Sequence, residues 1–460
     1  MKPDESQLHY PLADQLPPLG STLELAPGVR WLRMPLPFAL DHINLWLLRD
    51  RDPESGREGW AIVDCGITND ATRAAWEQVF ERELQGLPVL RVIVTHMHPD
   101  HIGLAHWLTE RWGARLWISA TDFNAARLAS QSTTGFGGES AAAFMASHGL
   151  TDPEAVEKVR RRSNYYANMV PQVPARFRRL MEGDVLRIGA HDWTCHAGHG
   201  HAPEHISLHC RALRVLISGD MVLPRISTNV SVIDLEPEGN PLPLYLASIA
   251  RMRELPADTL VLPSHGKPFR GLHARIEQLI AHHDERFDAV LEACAREPQT
   301  AASLLPVLFH RALDLHQTTF AMGESIAHLN ALWQRGQLKR ELGADGVYRF
   351  TLAQTQEATA NTPIIRKIST TFTTVPINWP SQVATPTRAA CRLASTCSPG
   401  CTKPPLRRAW CQYSPAIAPS RGMKSRPTKP VKMPSSVPMA APATAAGLAP
   451  AFFAPSSAAR

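Results

Sequence analysis

From about Leu23 to Phe269, short apolar runs alternate with turn residues and amphipathic stretches: INLWLLRD, WAIVDCGI, LRVIVTHMH, ARLWISA, HISLHC, LRVLISGD and TLVLPSHG. Runs of this length suit strands buried on at least one face, and intervening segments such as IGLAHWLTERWG have the spacing of helices that cover a sheet. The pattern predicts an α/β domain over 23–271. Between about 121 and 180 the texture turns helical and polar, in SAAAFMASHGL, PEAVEKVRRRSNYYANM and PARFRRLM, which reads as a helical insertion over the sheet. From 272 to 354, HARIEQLIAHHDERFDAVLEACA, TAASLLPVLF and SIAHLNALWQRGQLKREL precede a hairpin-like GADGVYRF. Three helices and a short two-stranded wing are the order of a small winged-helix domain, a module that in enzymes often serves only packing or dimerisation. Residues 1–22 read as an N-terminal extension. The segment 355–460 holds sixteen of the 39 prolines and no sustained hydrophobic period, so it is expected to be a disordered tail and is assigned no function.

The 460 residues are 44% hydrophobic and 20% charged, enough for a large and a small domain with buried cores, and collagen, coiled-coil or wholly disordered chains are excluded. No apolar run reaches the roughly 18 residues of a membrane span, and the first twenty residues lack the apolar stretch of a secretory signal, so the expectation is a soluble, cytoplasmic chain without a membrane partner. The net charge of +6 hints at nucleic acid, but thirteen Lys and Arg against one acid lie from Thr355 onward. The first 354 residues carry 35 basic and 41 acidic side chains, a net of −6. A nucleic-acid partner is therefore not favoured. Cys65, Cys195, Cys210 and Cys294 show no regular spacing and predict no disulfide framework.

Chemistry concentrates immediately after LRVIV, in Thr95-His96-Met97-His98-Pro99-Asp100-His101. Three imidazoles and a carboxylate fall within six residues. On an extended segment His96 and His98 project to the same side, and a turn into a helix after Pro99 aims Asp100 and His101 at a neighbouring point. Two adjacent metal sites follow. Zinc favours imidazole nitrogen with carboxylate oxygen and needs at least three protein ligands in a catalytic site, so further donors are required. They stand where later strand-like runs end: His201 in AGHGHAPEHISL, Asp220 in LISGDMV and His265 in LPSHGKPF.

With THMHPDHIG, GHGHAPEHISL, SGD and SHG in this order, the region from about Leu23 to Phe269 resembles the metallo-β-lactamase superfamily. The resemblance implies an αββα sandwich in which His96, His98 and His201 hold one zinc, Asp100, His101 and His265 hold a second, and Asp220 bridges them. Two Zn2+ are the implied cofactors, with iron or manganese as alternatives. The added C-terminal module is similar to the lactamase-β-2-like branch, which includes thioester hydrolases and endoribonucleases. The sequence departs from the commoner TPGHTPGH form at Ala202 and Glu204.

The implied mechanism is attack by a hydroxide bridging two zincs about 3.5 to 4 Å apart, with Asp100 both binding metal and orienting the nucleophile. The leading expectation is a hydrolase of a small ester or thioester, like hydroxyacylglutathione hydrolase. The alternatives are a single-strand-specific endoribonuclease, a persulfide dioxygenase-like enzyme and a non-catalytic DNA-binding protein. His199 and His205 are read as neighbours of ligands, Asp64 as structural support for a ligand histidine, and Asp41, His42 and Asn44 as either cleft lining or a solvated turn. Arg161, Tyr165 and Tyr166 in the insertion are the candidate substrate contacts, weighed against an ordinary solvated helix face.

Overall fold

In the computed structural model, which describes residues 4–131 and 137–353, the apolar runs form two facing sheets. The first contains, in spatial order, β1 (Leu23–Ala26), β2 (Val29–Pro35), β3 (His42–Arg51), β4 (Glu58–Val63), β5 (Val89–Ile93), β6 (Arg115–Ser119) and β7 (Phe177–Leu180). Its neighbours are antiparallel as far as β4 and parallel beyond it. The second contains β8 (Val185–Ile188), β9 (His191–Gly198), β10 (His205–Cys210), β11 (Val215–Gly219) and β12 (Leu260–Pro263), antiparallel except for the parallel pair β11 and β12.

Period-two alternation places these sheets between helices. On β3, Ile43, Leu45 and Leu47 pack with Trp76 and Leu108 of the helices Asp70–Arg82 and Ala105–Trp112. Trp46 and Leu48 of the same strand turn the other way and meet Trp193, Leu208 and Ile217 of the second sheet. Leu216 and Val261 then point outward to Ile249 and Ile276 on the helices Pro241–Arg251 and Leu272–Arg296. The layers run helix, sheet, sheet, helix. This is the αββα sandwich expected from the sequence, and its strands are apolar on successive residues because both faces are covered.

Three segments differ from the sequence reading or extend it. The insertion is helical in Ala120–Ala129, Gly138–Ser147, Pro153–Arg160 and Tyr165–Met169, but its last part, Phe177–Leu180, is strand β7 rather than helix. Backbone pairing to β6 decides this, and with only Leu180 fully buried such an edge strand shows little hydrophobic period. Strands β8 and β9 leave no apolar run in the sequence, β8 because it is only the four residues VLRI and β9 because HDWTCHAG is largely polar. Its buried residues Trp193, Cys195 and Ala197 nonetheless alternate as a half-buried strand requires. After Leu272–Arg296 come the helices Leu305–Leu308 and Leu315–Gln334, the latter opened by an Asp314–Gln317 capping box, and the hairpin β13 (Leu338–Leu342) and β14 (Tyr348–Leu352).

These C-terminal elements bury Leu279, Phe287, Ile326, Leu332 and Phe350 in one hydrophobic cluster with Leu216 and Val261 of the second sheet. The boundary expected at 271/272 is thus crossed by a shared core. The N-terminal extension also packs on the body, through buried Leu8, a bridge between His9 and Arg270, and the Asp14–Lys267 pair. The tail expected to be disordered lies outside the described residues. None of the described helices is long and apolar enough to cross a membrane.

Candidate metal centre

One edge of the sandwich gathers the C-terminal ends of β4, β5, β11 and β12 with the start of β3. After β5 the chain passes through Thr95 and His96, and His98 caps the short helix Pro99–Ile102 that carries Asp100 and His101. Pro at the first helical position suits this start because its missing N–H needs no partner there. His201 comes from the turn between β9 and β10, Asp220 follows β11, and His265 follows β12. Gly219 sets the approach of Asp220. Its φ is +54°, and a Cβ there would stand 2.1 Å from His205 Nε2, so both conformation and space call for glycine.

All seven donors meet. The donor atoms of His96, His98, His201 and Asp220 lie within 4.8 Å of one another, and so do those of Asp100, His101 and His265. In the first group His96 Nε2 is 2.8 Å from His98 Nδ1 and 3.2 Å from His201 Nε2, and His98 Nδ1 is 3.1 Å from His201 Nε2. Edges near 3.3 Å are what a tetrahedral zinc with Zn–N distances of about 2.0–2.1 Å would need. Asp220 stands between the groups: Oδ2 is 3.3 Å from His201 Nε2 and 3.5 Å from His101 Nε2, while Oδ1 is 3.5 Å from His265 Nε2. Asp100 Oδ2 lies 3.4 Å from His265 Nε2 and 3.7 Å from His101 Nε2.

The ring atoms facing away from this point are braced. His201 Nδ1 donates to the carbonyl of Asn229 at 2.7 Å, and His265 Nδ1 to that of His42 at 2.8 Å. A carbonyl can only accept, so each Nδ1 carries a proton, and Nε2 is the ring atom turned toward the centre. Asp64 holds His101 Nδ1 at 2.8 Å and accepts from the Thr95 backbone at 2.8 Å, from a left-handed conformation with φ +62°. The support role read for Asp64 from the sequence is the one seen. Asp41, His42 and Asn44 brace too: Asn44 donates to the carbonyls of Pro263 and Gly266, and His42 donates from Nδ1 to Asp41 at 2.6 Å and accepts at Nε2 from Gly266 N–H. His205 Nε2 accepts from the Asp220 backbone at 3.2 Å, while His199 donates from Nδ1 to the carbonyl of Pro203.

Electrostatics divide the centre in two. Burial disfavours charge on His96 and His98, and neighbouring histidines add to it, so His96 is held well below the imidazole range and His98 at about 3. At the second group burial also opposes charge, but opposite charges prevail. Asp64, Asp100 and Asp220 raise His101 well above its ordinary value, Asp220 and Asp100 raise His265 to about 10, and the two rings hold Asp100 at about 2 and Asp220 well below the carboxylate range. One side offers uncharged nitrogens and the other attracts positive charge. A divalent cation satisfies both. His101 Nε2 and Asp220 Oδ1 are moreover buried without a hydrogen-bond partner among the described residues, at the point where a metal would take them. The residues therefore fit metal ions.

Two cavities open on this floor. The larger, about 1070 Å³, reaches Asp100, Asp220 and His265 and is walled by the loop from Leu36 to Leu40 and by the helices Leu272–Arg296 and Leu315–Gln334. The smaller, about 390 Å³, lies between the insertion and the segment from Asn229 to Leu244. His98, His201, Tyr165, Asn229 and Phe320 line both. Of the expected substrate contacts, Tyr165 stands at this divide, its hydroxyl 3.2 Å from His316 Nδ1. Tyr166 is buried, and its hydroxyl donates to the carbonyl of Met97, bracing the metal loop instead of facing a ligand. Arg161 reaches neither cavity; its side chain is 78% exposed and pairs with Glu157 one turn back. Its neighbour Arg162 takes the inward position, bonded to Thr319 and lining the smaller cavity. The C-terminal wall, with Arg286, Arg311 and Glu324, gives no signal in the sequence, where Arg286 and Glu324 look like ordinary helix residues and Arg311 like a loop residue.

Comparison with known proteins identifies the family. The model of the metallo-β-lactamase superfamily matches residues 40–265, and that of the metallo-β-lactamase-like C-terminal domain matches 287–353. A crystal structure of a β-lactamase domain protein from Burkholderia ambifaria is 58% identical, with a TM-score of 0.72, covering 76% of this chain and 99% of that one. The chain belongs to the metallo-β-lactamase superfamily. Within this superfamily it is 25% identical over 312 residues to the "Probable metallo-hydrolase YqjP" of Bacillus subtilis, covering 65% of this chain and 91% of that protein. It is 29% identical over 262 residues to the acyl-coenzyme A thioesterase MBLAC2 of Gallus gallus, covering 55% and 80% respectively.

Proposed function

We propose that this superfamily member is a dinuclear metallo-hydrolase that cleaves thioesters, acting on a small-molecule acyl substrate in the cytoplasm. The observation that carries the reading is the convergence of two donor groups with the carboxylate of Asp220 between them, at the floor of a cleft large enough for a substrate. His96, His98 and His201 would hold one ion, Asp100, His101 and His265 the other, and Asp220 would contact both. Imidazole-rich donor sets of this kind favour zinc. When bound, such a pair supplies water that is acidic enough to ionise near neutral pH and positive charge opposite a developing oxyanion.

The chain's own groups position the reactants. Asp100, at the cleft floor between His101 and His265, would bind metal and orient the attacking water. Tyr165 can donate a hydrogen bond to the acyl group at the divide between the cavities. Hydrolysis breaks the C–S bond, the acyl carbon gains the oxygen of water, and the carrier departs as its thiol. The thioesterase relative supports this choice over a phosphodiester, as does the net negative charge of the first 354 residues.

Metal analysis of the purified protein, followed by assay of acetyl and longer acyl-coenzyme A, lactoylglutathione, a lactone, a β-lactam and single-stranded RNA, tests the reading. Two zinc ions per chain with thioester turnover are expected. Salt-sensitive RNA cleavage without thioester turnover would replace the thioesterase with a nuclease.

A further inference from the structure

Both cavities are walled largely by apolar side chains and share residues around the donor cluster; they differ in where their cationic groups stand. The smaller is lined mainly by apolar surface, from Leu128, Phe144, Met145, Val232, Leu244 and Ile326. Its mouth leaves Leu128 55%, Leu235 51% and Leu244 54% exposed, a concentration of exposed leucines that packing among the described residues does not explain. The larger cavity carries Arg225, Arg275, Arg286, Arg311 and His282 on its far wall. Arg225 is paired with Glu5, and Arg275 spends its donors on the carbonyls of Leu223 and Ile226. For Arg286 and Arg311 no hydrogen-bonded carboxylate stands among the described residues; the Glu324 carboxyl stands near Arg286 without bonding to it, and both guanidinium groups keep donors for an anion from outside.

Resting on the thioesterase reading, we infer that the centre cuts a thioester which straddles the divide, with an unbranched hydrocarbon acyl chain in the smaller cavity and a phosphate-bearing carrier in the larger. The scissile carbonyl then lies at His98, His201 and Tyr165, the residues that both cavities share. Leu244 and Leu128 act as determinants of chain length, and Arg286 and Arg311 as determinants of the carrier. An acyl group of two carbons leaves the apolar cavity unused. Each added methylene removed from water raises kcat/KM by about fourfold until the cavity is full, the factor that corresponds to ~0.8 kcal/mol per buried CH₂.

The test uses the metal-loaded protein and two matched series of saturated thioesters, on coenzyme A and on N-acetylcysteamine, which lacks phosphate. The expected result is a rise in kcat/KM with chain length in both series, and a preference of tenfold or more for the coenzyme A ester at equal length. Leu244→Glu, at an exposed position on its helix, lowers the ratio of dodecanoyl to acetyl turnover by at least tenfold. Arg286→Glu with Arg311→Glu lowers the ratio of coenzyme A to N-acetylcysteamine turnover by a similar factor. Calorimetric titration with dodecanoate and with desulfo-coenzyme A reads the same division without turnover: Leu244→Glu weakens the first and the arginine variant the second. If thioesters are hydrolysed but chain length, carrier and both variants leave these ratios and affinities unmoved, the division is wrong while the function stands. If no thioester is hydrolysed by protein holding its metals, the functional reading itself falls.

Discussion

The donor edge of the sandwich and the walls of its two cavities are built on different terms. Every donor leaves a strand end or a short turn, and its neighbours lock it: Asp64 on His101, the Asn229 carbonyl on His201, the His42 carbonyl on His265. The walls come from the insertion and from the helices after Leu272, and the side chains that face the cavities there, such as Leu128, Leu244 and Arg286, are exposed or hold few bonds. Reactivity needs donors placed to a fraction of an ångström, which only a braced, buried edge provides. Selectivity needs area and charge of the right kind, which helix faces supply and which tolerate change. Substitutions at the edge should therefore cost orders of magnitude, and those on the walls should redistribute preference.

The sharpest way to break this contrast is at Asp220. Replacing it with Ala removes the group nearest both donor sets and leaves their charges unbalanced, so turnover should fall on the order of 10³-fold or more, with loss of bound metal seen by elemental analysis. Activity within tenfold of the parent would show that the edge is not the reactive part. Asp64→Asn is the next largest effect. It touches no substrate, yet it frees His101 to turn, and an outer partner of this kind is worth roughly 10- to 100-fold in metal affinity. Competition with a chromogenic chelator measures it, and affinity equal to the parent's would remove Asp64 from the bracing set.

The same contrast explains what could be read from the chain alone. The cluster from His96 to His101 is legible because four donors share one turn, and Asp220 and His265 because each follows an unbroken apolar run that must end at a sheet edge. Asp64 is legible by the same logic, and His201 through the histidine-rich segment GHGHAPEHISL. Strand β9, in which Trp193, Cys195 and Ala197 alternate with polar residues, escapes notice because a half-covered strand of eight residues looks like a loop. The cavities escape it altogether. Arg161 and Arg162 are adjacent in a charge run, and only the approach of His316 and Thr319 on the helix Leu315–Gln334 separates them, one turned outward to Glu157 and the other inward to Thr319. Arg286 and Glu324 face a cavity because two helices distant in sequence frame it, and nothing in their local spacing differs from a solvated face.

Glu324 sharpens the comparison from the side of the wall. Burial raises its carboxyl to about 7 from an ordinary 4.5, with Arg286 and the Asn229 amide only partly opposing the shift. The folded chain keeps this proton through a range in which the unfolded chain has lost it. Stability from this group is therefore lost as pH rises from about 4.5 to about 7 and stays lower above that. Glu324→Gln removes the dependence and should stabilise the protein at pH 8 by roughly 1–3 kcal/mol, visible as a higher Tm at pH 8 and little change at pH 4.5. An unchanged Tm at pH 8 would mean that water or a cation reaches the carboxylate.

The smallest effect expected is at Arg161. Its side chain is 78% exposed and bound to Glu157, so Arg161→Ala should move KM for any thioester by less than twofold. Arg162→Ala, in the same charge run but inside the smaller cavity, should raise KM several-fold through the lost bond to Thr319 and the lost wall beside Tyr165. Two adjacent arginines with unequal effects would show that the cavity, and not the charge of the run, contacts substrate. Equal effects would place the substrate on the outer face of the insertion and undo the assignment of the walls.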